Sequence, residues 1–435
     1  MLHIGFVLAF FSFILQSLIL ISGEADEAFV RVGGHRFFIN GAPFYVNGFN
    51  AYWLMTVAAD PSQRYKVSNA FREAAAHGLT VGRSWAYSEG GPMPLQYSPG
   101  SYNENVFQGL DFVIAEAKRH RIRLILALGN NYNHFGGKRQ YVNWARSKGQ
   151  YLPSDDDFFR HPLARTYFKN HIEVRVPYSW RPRTDKRLPF QRILNRYNKY
   201  TRLYYKNDPT IMAWELMNEP RCTSDRSGRT IQSWLMEMSS FVKSLDRNHL
   251  LEAGLEGFYG YSSSTRGRFN PGFETGTDFI ANHRIPYIDF ATVHAYPDQW
   301  LPNPTGPNQV AFMNRWLSTH IADAQLILKK PVVITEFGAL MNRYGIDTYQ
   351  RDQIYNAVYY KIYASAKGGG AAGGGLFWQL FVVGMEGFRD GYEIILGDRS
   401  SVSVVIGLQS RRLRLLRRKQ MDKQKVVNKN ENYIH

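Results

Sequence analysis

Residues 211–217 read IMAWELM, and Asn218, Glu219 and Pro220 follow this mostly apolar run. A continuous apolar run, rather than an alternation, is typical of a strand that is buried on both faces of a parallel sheet. Seven comparable segments occur at residues 44–50, 80–85, 123–128, 250–255, 289–294, 331–336 and 375–380. Stretches with the helical spacing of apolar residues lie between them, among them 106–119, 232–245 and 349–364. Eight strands alternating with helices predict a single (β/α)8 TIM barrel over residues 29–418.

An open, doubly wound α/β sheet is the competing fold. Such sheets usually carry a glycine-rich phosphate loop after the first strand. In this chain the first segment is followed instead by AYWLM at residues 51–55. The sequence therefore favours the barrel, whose catalytic groups lie at the carboxyl ends of the strands.

A proline-rich stretch interrupts the pattern before the fourth strand. Residues 174–191 read VRVPYSWRPRTDKRLPFQ and contain three prolines where the flanking residues indicate a helix. Proline breaks helix interiors, so we predict an atypical insert that forms a loop or is disordered. A helix is then expected to resume at Arg192.

Two further segments lie near the C-terminus. Residues 368–375 read GGGAAGGG, which predicts a low-complexity loop before the eighth strand. Residues 411–425 read RRLRLLRRKQMDKQK, which predicts a terminal helix with a solvated cationic face. A tail that binds the cell wall or lipid is the alternative. Residues 419–435 are interpreted as a polar tail.

Composition limits the class of protein. The 435 residues are 44% hydrophobic and 20% charged, which excludes wholesale disorder. The single cysteine, Cys222, excludes an intrachain disulfide and a cysteine-based zinc site. The net charge of +17 favours acidic partners such as nucleic acid, anionic lipid or acidic polysaccharide.

The N-terminus predicts export. Residues 4–22 are almost wholly apolar, and a polar stretch follows them. We interpret residues 1–23 as a secretory signal peptide, with an uncleaved membrane anchor as the alternative. The protein is accordingly expected outside the cell or in the cell wall.

Two carboxylates close predicted strands. Glu219 follows the fourth segment, and Glu336 ends the seventh, in ITEFG at residues 334–338. Strands four and seven face each other across a barrel mouth, so both side chains can point into one cleft. Paired carboxylates that flank a bond are what glycoside hydrolysis requires. Two structural salt bridges are the alternative, and Glu215 is expected to be paired within the barrel.

Aromatic residues at the same strand ends suggest a binding cleft for sugars, because sugar rings stack on indole and phenol rings. Trp85, Tyr296 and Trp378 lie at the predicted ends of the second, sixth and eighth strands, and Trp53, just after the first strand, could extend the row. Any one of these residues is more often a core aromatic. Three of them on one face beside two carboxylates favour the glycan cleft.

Neighbouring polar residues suggest how the two carboxylates would be tuned. Arg83 could donate to Glu336 and favour its ionised form, and Tyr296 could add a hydrogen bond. His294 could join the network around the nucleophile, and Asn218 could donate to a sugar 2-hydroxyl group. The pKa of Glu219 is expected to be raised by a less polar setting and by the nearby negative charge.

The strand ends resemble those of the plant endo-β-mannanases of glycoside hydrolase family 5. The matching stretches are WELMNEPRC (214–222), ITEFG (334–338), HAYP (294–297), GRSW (82–85), YKNDPTIMA (205–213) and LFWQL (376–380). The resemblance implies a (β/α)8 barrel, no cofactor, no metal, and retaining hydrolysis of β-1,4-mannosidic bonds in mannan, glucomannan or galactomannan. It also implies that Glu219 is the acid/base and Glu336 the nucleophile. The residues that it implies as substrate contacts are Trp85, Asn218, Tyr296 and Trp378.

Other functions stay open on the sequence. A catalytically impaired, secreted glycan-binding barrel is one alternative, because the insert adjoins the fourth strand, and a family 5 endo-β-1,4-glucanase is another. Nucleic-acid binding is not favoured, since the basic residues are scattered and no nucleic-acid motif appears. The positive charge is instead expected to hold a monomeric protein near acidic cell-wall polymers.

Overall fold

The computed structural model describes residues 28–173, 192–263, 270–341 and 346–431. Eight short parallel strands, most of them wholly buried, form its central sheet. They are β1 (Val46–Asn50), β2 (Val81–Trp85), β3 (Arg123–Ala127), β4 (Ile211–Glu215), β5 (Leu250–Glu252), β6 (Ala291–Ala295), β7 (Val332–Phe337) and β8 (Ala372–Phe377). Their order in the sheet is β5-β4-β3-β2-β1-β8-β7-β6. Each predicted segment contains one of these strands, wholly or in part.

Hydrogen bonds between β5 and β6 bring the two ends of this sheet together. The backbone amide of Asp289 donates to the carbonyl of Leu251 at 2.8 Å, and that of His294 donates to Glu256 at 3.0 Å. Between these bonds, the Thr292 hydroxyl accepts from the amide of Leu255 and donates to its carbonyl. The predicted (β/α)8 barrel is confirmed.

The helices pack around the sheet. They are α1 (Leu54–Ala58), α2 (Arg64–Ala76), α3 (Glu104–Arg119), α4 (Gly137–Arg146), α5 (Pro162–Ile172), α6 (Arg229–Leu245), α7 (Phe279–His283), α8 (Pro297–Trp300), α9 (Gly306–Asp323), α10 (Thr348–Lys367) and α11 (Ser401–Glu431). The predicted helices 106–119, 232–245 and 349–364 lie within α3, α6 and α10. Side-chain caps fix two of their starts, since Asn103 accepts from the amide of Asn105, and Asp347 and Gln350 form a capping box.

A small antiparallel sheet covers the N-terminal end of the barrel. Its strands are Arg31–Gly33, Arg36–Ile39 and Ala42–Phe44. Its side chains Phe37, Ile39 and Phe44 form one buried cluster with barrel residues such as Val46 and Leu376. Phe44 therefore belongs to this sheet rather than to β1. The opposite, C-terminal end of the barrel stays open to a cleft.

Shorter elements complete the chain. Three two-stranded pairs join Gln96–Ser98 with Ser101–Tyr102, Tyr197–Asn198 with Leu203–Tyr204, and Leu380–Phe381 with Ile394–Ile395. The 3-10 turns are Pro61–Gln63, Asp155–Phe159, Tyr205–Asn207, Phe273–Thr275, Glu386–Phe388 and Leu396–Asp398, and Ala324–Leu328 is a π-helical turn.

The glycine-rich stretch 368–375 is only partly a loop, so the predicted loop is wrong in its second half. Strand β8 begins at Ala372 and includes Gly373, Gly374 and Gly375. Gly374 has φ +144°, and a β-carbon there would lie 1.8 Å from the carbonyl oxygen of Val46 on β1. Glycine is required because the two backbones approach each other so closely at this point.

The predicted helix after the proline-rich insert is also wrong. Residues 193–195 form a turn, and the strand Tyr197–Asn198 follows. The Arg196 guanidinium is buried and binds Asp111 and Glu104 of α3, and this anchors the chain in a non-helical course. The insert 174–191 itself and the predicted signal peptide 1–23 lie outside the described residues. Among those that are described, no helix is long and apolar enough to cross a membrane.

The predicted basic helix is present as part of α11. Leu413 and Leu416 pack on Tyr45 and Ala366, and Arg411, Arg412 and Arg418 are exposed. The boundary expected at residue 419 falls inside this helix. Gln420, just beyond it, accepts a hydrogen bond from Tyr45 at 2.7 Å, so the start of the expected tail is docked on the barrel.

Candidate active site

The Arg83 guanidinium on β2 lies at the centre of a buried network. Its five N–H groups donate to Glu215 twice, and once each to Asn50, Asn218 and Glu336. Arginine has five N–H donors, so every one of them is used. The side chain is fully buried. Burial lowers the pKa of Arg83, but the negative charges of Glu215 on β4 and Glu336 on β7 outweigh burial and raise it.

Glu336 is held at the end of β7 by two donors. Arg83 donates to its Oε1 at 2.5 Å, and the Tyr296 hydroxyl donates to its Oε2 at 2.6 Å. Both contacts agree with the sequence expectation. The carboxylate still lines the cleft, since Glu336 is 4% exposed. Charge-assisted hydrogen bonds of this kind fix the orientation of a carboxylate.

Glu219 lies beyond β4 in an uncommon backbone conformation. Its φ is +50°, which is rare for a residue with a side chain and is characteristic of functional sites. The backbone is pinned by its amide, which donates to the carbonyl of Gly254 at 2.8 Å. The side chain accepts from His294 Nδ1 at 2.6 Å and from the Tyr132 hydroxyl at 2.7 Å. The fold thus directs this carboxylate toward β6 and into the cleft.

The expected raised pKa of Glu219 is wrong. Burial does act to raise it, but the hydrogen bond from His294 and the charges of His294 and Arg221 outweigh burial and lower the pKa. The pKa of His294 is raised: burial lowers it, and the charge of Glu336 and the bond to Glu219 outweigh that effect. These opposite shifts, with the short Nδ1–Oε1 contact, favour the imidazole over the carboxyl as the site of a proton shared by the Glu219–His294 pair.

This pair makes stability depend on pH. The folded-state pKa of His294 lies above its usual value of 6.5. Its proton therefore stabilises the fold fully below about pH 6.5, and this contribution is lost as pH rises through the folded-state value. We expect the unfolding free energy of the unmodified chain to fall from about pH 6 to pH 9 more than that of Glu219→Gln, in which the pKa of His294 drops.

Denaturant titrations at several pH values, with an NMR titration of the imidazole, test this expectation. An equal fall in both proteins would contradict it, as would an unchanged titration of His294 in the variant.

The two carboxylates lie close together. One carboxylate oxygen of Glu219, one of Glu336 and one imidazole nitrogen of His294 all lie within 4.8 Å of one another. Carboxylates about 5–5.5 Å apart are typical of retaining glycosidases, whereas inverting enzymes need about 6.5–9.5 Å to admit a water. The three groups could in principle hold a cation. Their oxygens, however, already accept from Arg83, Tyr296, Tyr132 and His294, which is the donor set of a catalytic pair rather than of a metal centre.

A cleft of about 600 Å³ runs over these carboxylates. Trp85, Tyr296, Trp378 and Asn218 all line it, so the structure brings the expected substrate contacts together. Asn218 uses its Oδ1 for Arg83 and one amide N–H for Asn130, which leaves a second N–H available. Trp53 does not belong to the cleft. It is buried, and its Nε1 donates to the carbonyl of Leu380 at 2.9 Å.

The structure adds residues that the sequence reasoning missed. Tyr52 stacks on Trp378, with ring centroids 6.0 Å apart and an interplanar angle of 16°. Tyr132 binds Glu219 from the loop after β3. Trp300, at the end of α8, and Tyr392, in a loop near the C-terminus, also line the cleft. Tyr52 lies two residues after β1 and next to Trp53. The position just after a strand, which pointed to Trp53, therefore pointed equally to Tyr52. Tyr132 and Tyr392 lie in loops, and Trp300 ends the four-residue helix α8, so none of the three shares a periodic pattern.

Arg221 and Glu256 form a further charged pair in the cleft. The Arg221 guanidinium binds both carboxylate oxygens of Glu256 and lies 3.9 Å from Glu219. Burial and the charge of Glu219 raise the pKa of Glu256 to about 8, even though Arg221 acts against this rise. Both residues closely follow predicted strands, yet no spacing in the sequence connects them.

Comparison with known proteins identifies the family. Residues 27–386 match the family described as GH family 5 beta-mannosidase-like. The chain belongs to this glycoside hydrolase family 5 group. It is 58% identical over 390 residues to mannan endo-1,4-beta-mannosidase 7 of Arabidopsis thaliana, covering 90% of this chain and 86% of that protein. It is 56% identical over 402 residues to mannan endo-1,4-beta-mannosidase 1 of Oryza sativa subsp. japonica, covering 91% and 89%.

Solved structures of the family share the fold. The X-ray structure of the endo-beta-1,4-mannanase from Thermotoga petrophila has a TM-score of 0.69 and 29% identity, and it covers 86% of this chain and 77% of that one. The family 5 mannosidase from Rhizomucor miehei has a TM-score of 0.73 at 23% identity, and it covers 91% and 99%. The family match over residues 27–386 and the relatives at 58% and 56% identity confirm the expected resemblance to family 5.

Proposed function

We propose that this family 5 glycoside hydrolase is a retaining endo-glycosidase that cleaves internal β-1,4-mannosidic bonds. The observation that carries the mechanism is that one carboxylate oxygen of Glu219 and one of Glu336 lie within 4.8 Å of each other. That distance suits direct attack by one carboxylate and proton transfer by the other.

In the first step, Glu336 attacks the anomeric carbon and forms a glycosyl ester, while the leaving oxygen receives a proton from the Glu219–His294 pair. The charge of Glu336 is one cause of the raised pKa of His294. Ester formation removes that charge, so the imidazole becomes more acidic as the bond breaks. The proton can then pass from His294 Nδ1 through Glu219 to the leaving group.

In the second step, the Glu219 carboxylate accepts a proton from water, and the resulting hydroxide attacks the ester. Arg83 and Tyr296 hold Glu336 in place as it returns to a carboxylate. Two displacements at one carbon retain its configuration. Tyr132 keeps the other oxygen of Glu219 oriented throughout.

Mannan as the substrate rests on the relatives, whose names specify mannan endo-hydrolysis at 58% and 56% identity. The deciding assay measures release of reducing ends from galactomannan and from carboxymethylcellulose. Release from galactomannan is expected. Release only from carboxymethylcellulose would indicate an endo-β-1,4-glucanase, and binding without release from either would indicate an impaired glycan-binding barrel.

Export of the chain and a monomeric state belong to the same proposal. The expectation of export rests on the apolar residues 4–22. Expression of the full chain with a C-terminal tag tests it. Recovery from the medium as a monomer that has lost its first residues is expected, and retention of the uncleaved chain in membranes would favour the anchor.

Association with acidic cell-wall polymers is the last part of the proposal, and α11 is the surface that we expect to carry it. Arg411, Arg412 and Arg418 are exposed there. Each exposed ion pair contributes about 0.2–1 kcal/mol, so replacing all three with Gln should weaken binding to pectin-containing wall material by about 3- to 160-fold. Salt should weaken the binding of the unmodified chain in the same direction.

The matched control replaces Arg72, Arg247 and Arg284, which are exposed outside α11, with Gln. It makes the same change in net charge. Equal weakening in both triple variants would assign the effect to overall charge rather than to α11, and binding that is insensitive to salt would refute the association.

A further inference from the structure

A second pair of glutamates lies beneath the catalytic residues. Glu215 on β4 and Glu252 on β5 are in direct register on neighbouring parallel strands. Both are fully buried, and the Glu215 carboxyl raises the pKa of Glu252 through its charge and as a side-chain hydrogen-bond partner, which places the two groups side by side. The nucleophile and the acid/base lie elsewhere, and the mechanism above gives Glu252 no role.

The nearby positive charge is insufficient for both acids. Arg83 directs two N–H groups to Glu215 and the other three to Asn50, Asn218 and Glu336, so none remains for Glu252. The carboxylates of Glu215 and Glu336 share this one guanidinium, and the nearby His294 imidazole is bonded to Glu219 instead. A third buried carboxylate without its own cation would be strongly unfavourable.

The oxygens of Glu252 show where a proton belongs. Its Oε2 accepts from the backbone amide of Gly254, and its Oε1 is buried without a donor among the described residues. A carboxylate oxygen cannot bond to the carboxylate of Glu215 unless one of the two carries a hydrogen. Protonation of Glu252 satisfies both groups at once, because the new O–H can donate to Glu215.

The surrounding groups support this assignment. The charged side chains that act on Glu252 are Glu215 from β4 and Arg83 from β2, and on β6 the titratable His294 directs its Nδ1 to Glu219. Burial, followed by the charge of Glu215, holds the pKa of Glu252 well above its usual value, although Arg83 and the Gly254 amide act in the opposite direction.

We propose that Glu252 is a permanently protonated positioning residue whose carboxylic O–H donates to Glu215 and, through Glu215 and Arg83, fixes the nucleophile Glu336. The role rests on the proposed hydrolysis, in which Arg83 must hold Glu336 in line with the anomeric carbon. Glu252 itself does not touch the substrate, because Glu215, Arg83 and Glu336 lie between them.

The variant Glu252→Gln is the conservative test. A glutamine offers one acceptor for the Gly254 amide and one donor for Glu215, as a protonated glutamate does. We expect kcat/KM within about twofold of the unmodified value and an unchanged pH profile. Glu252→Met has a similar length without a donor, and we expect it to lower kcat by about 10- to 100-fold with little change in KM, because one buried partner is left unsatisfied.

Isotope-edited infrared spectroscopy tests protonation without reference to activity. In protein with ¹³C-labelled glutamate carboxyl groups, the bands of Glu256 and Glu89, whose pKa values are raised to about 8, should disappear as the pH rises to about 10. A protonated C=O band that persists at about pH 10, far above the usual range of a glutamate, should be present in the unmodified protein and should vanish in Glu252→Gln. Absence of that band in the unmodified protein, or its persistence in the variant, overturns the proposal. A Gln variant as impaired as the Met variant also overturns it, whereas failure to hydrolyse mannan leaves the infrared result intact and refutes only the proposed function.

Discussion

Glu336→Ala is expected to abolish mannan hydrolysis while leaving binding largely intact. Removing a covalent nucleophile lowers kcat by roughly 10⁴- to 10⁶-fold in enzymes where it has been isolated. Here the change also removes an acceptor of Arg83 and of Tyr296, and it leaves the aromatic cleft of Trp85 and Trp378 in place. Hydrolysis assays combined with calorimetric titration of manno-oligosaccharides measure both effects.

A small anion should partly restore cleavage in this variant. Azide can occupy the space vacated by the carboxylate and attack the anomeric carbon, which would give a product of inverted configuration.

The unmodified protein should release a β-configured first product, which proton NMR can detect before mutarotation. An α-product at early times would refute both the retaining mechanism and the role of Glu336 as nucleophile.

Glu219→Gln is expected to give the second large loss, and its size should depend on the leaving group. General acid catalysis contributes about 10²- to 10⁴-fold, and this contribution matters most for a sugar leaving group that must be protonated as it departs. Aryl glycosides with good leaving groups need little protonation, so the first step should be relatively spared. Rates on mannan and on activated aryl mannosides, measured side by side, provide the comparison.

The glutamine introduced by Glu219→Gln could still accept the bond from Tyr132 and lie beside His294, so we expect the variant to fold. Equal losses on both kinds of substrate would argue that Glu219 orients the substrate rather than transfers a proton. Since His294 is the favoured site of the shared proton, a His294→Gln variant should show the same dependence on the leaving group.

The barrel follows from the sequence because each strand carries its own signal. A strand of a closed parallel sheet is buried on both faces, so its apolar run appears within five or six residues. The prediction of a loop for the glycine-rich segment fails because the strand there depends on a contact that is distant in sequence. Gly374 belongs to a strand only because the backbone of Val46, far away in sequence, approaches it too closely for a β-carbon.

The positions of Glu219 and Glu336 were also predictable, because strand ends in a barrel converge on one mouth. Their protonation was not. The bond between His294 and Glu219 joins residues 75 apart, and the bond between Arg83 and Glu336 joins residues 253 apart. A pKa depends on distances of a few ångströms, and such distances exist only once the barrel has closed.

The sequence by itself thus determined the barrel, the two carboxylates at its mouth and three aromatic residues of the cleft. Each depends on a local pattern of burial or on a residue type at a strand end. Only the tertiary structure decided that Trp53 lies in the core, that Tyr52 and Tyr132 join the cleft, and that His294 rather than Glu219 is the favoured site of the shared proton. Those outcomes depend on which side chains meet across the barrel, and hydrogen bonds and charges act over distances that the linear order of residues does not encode.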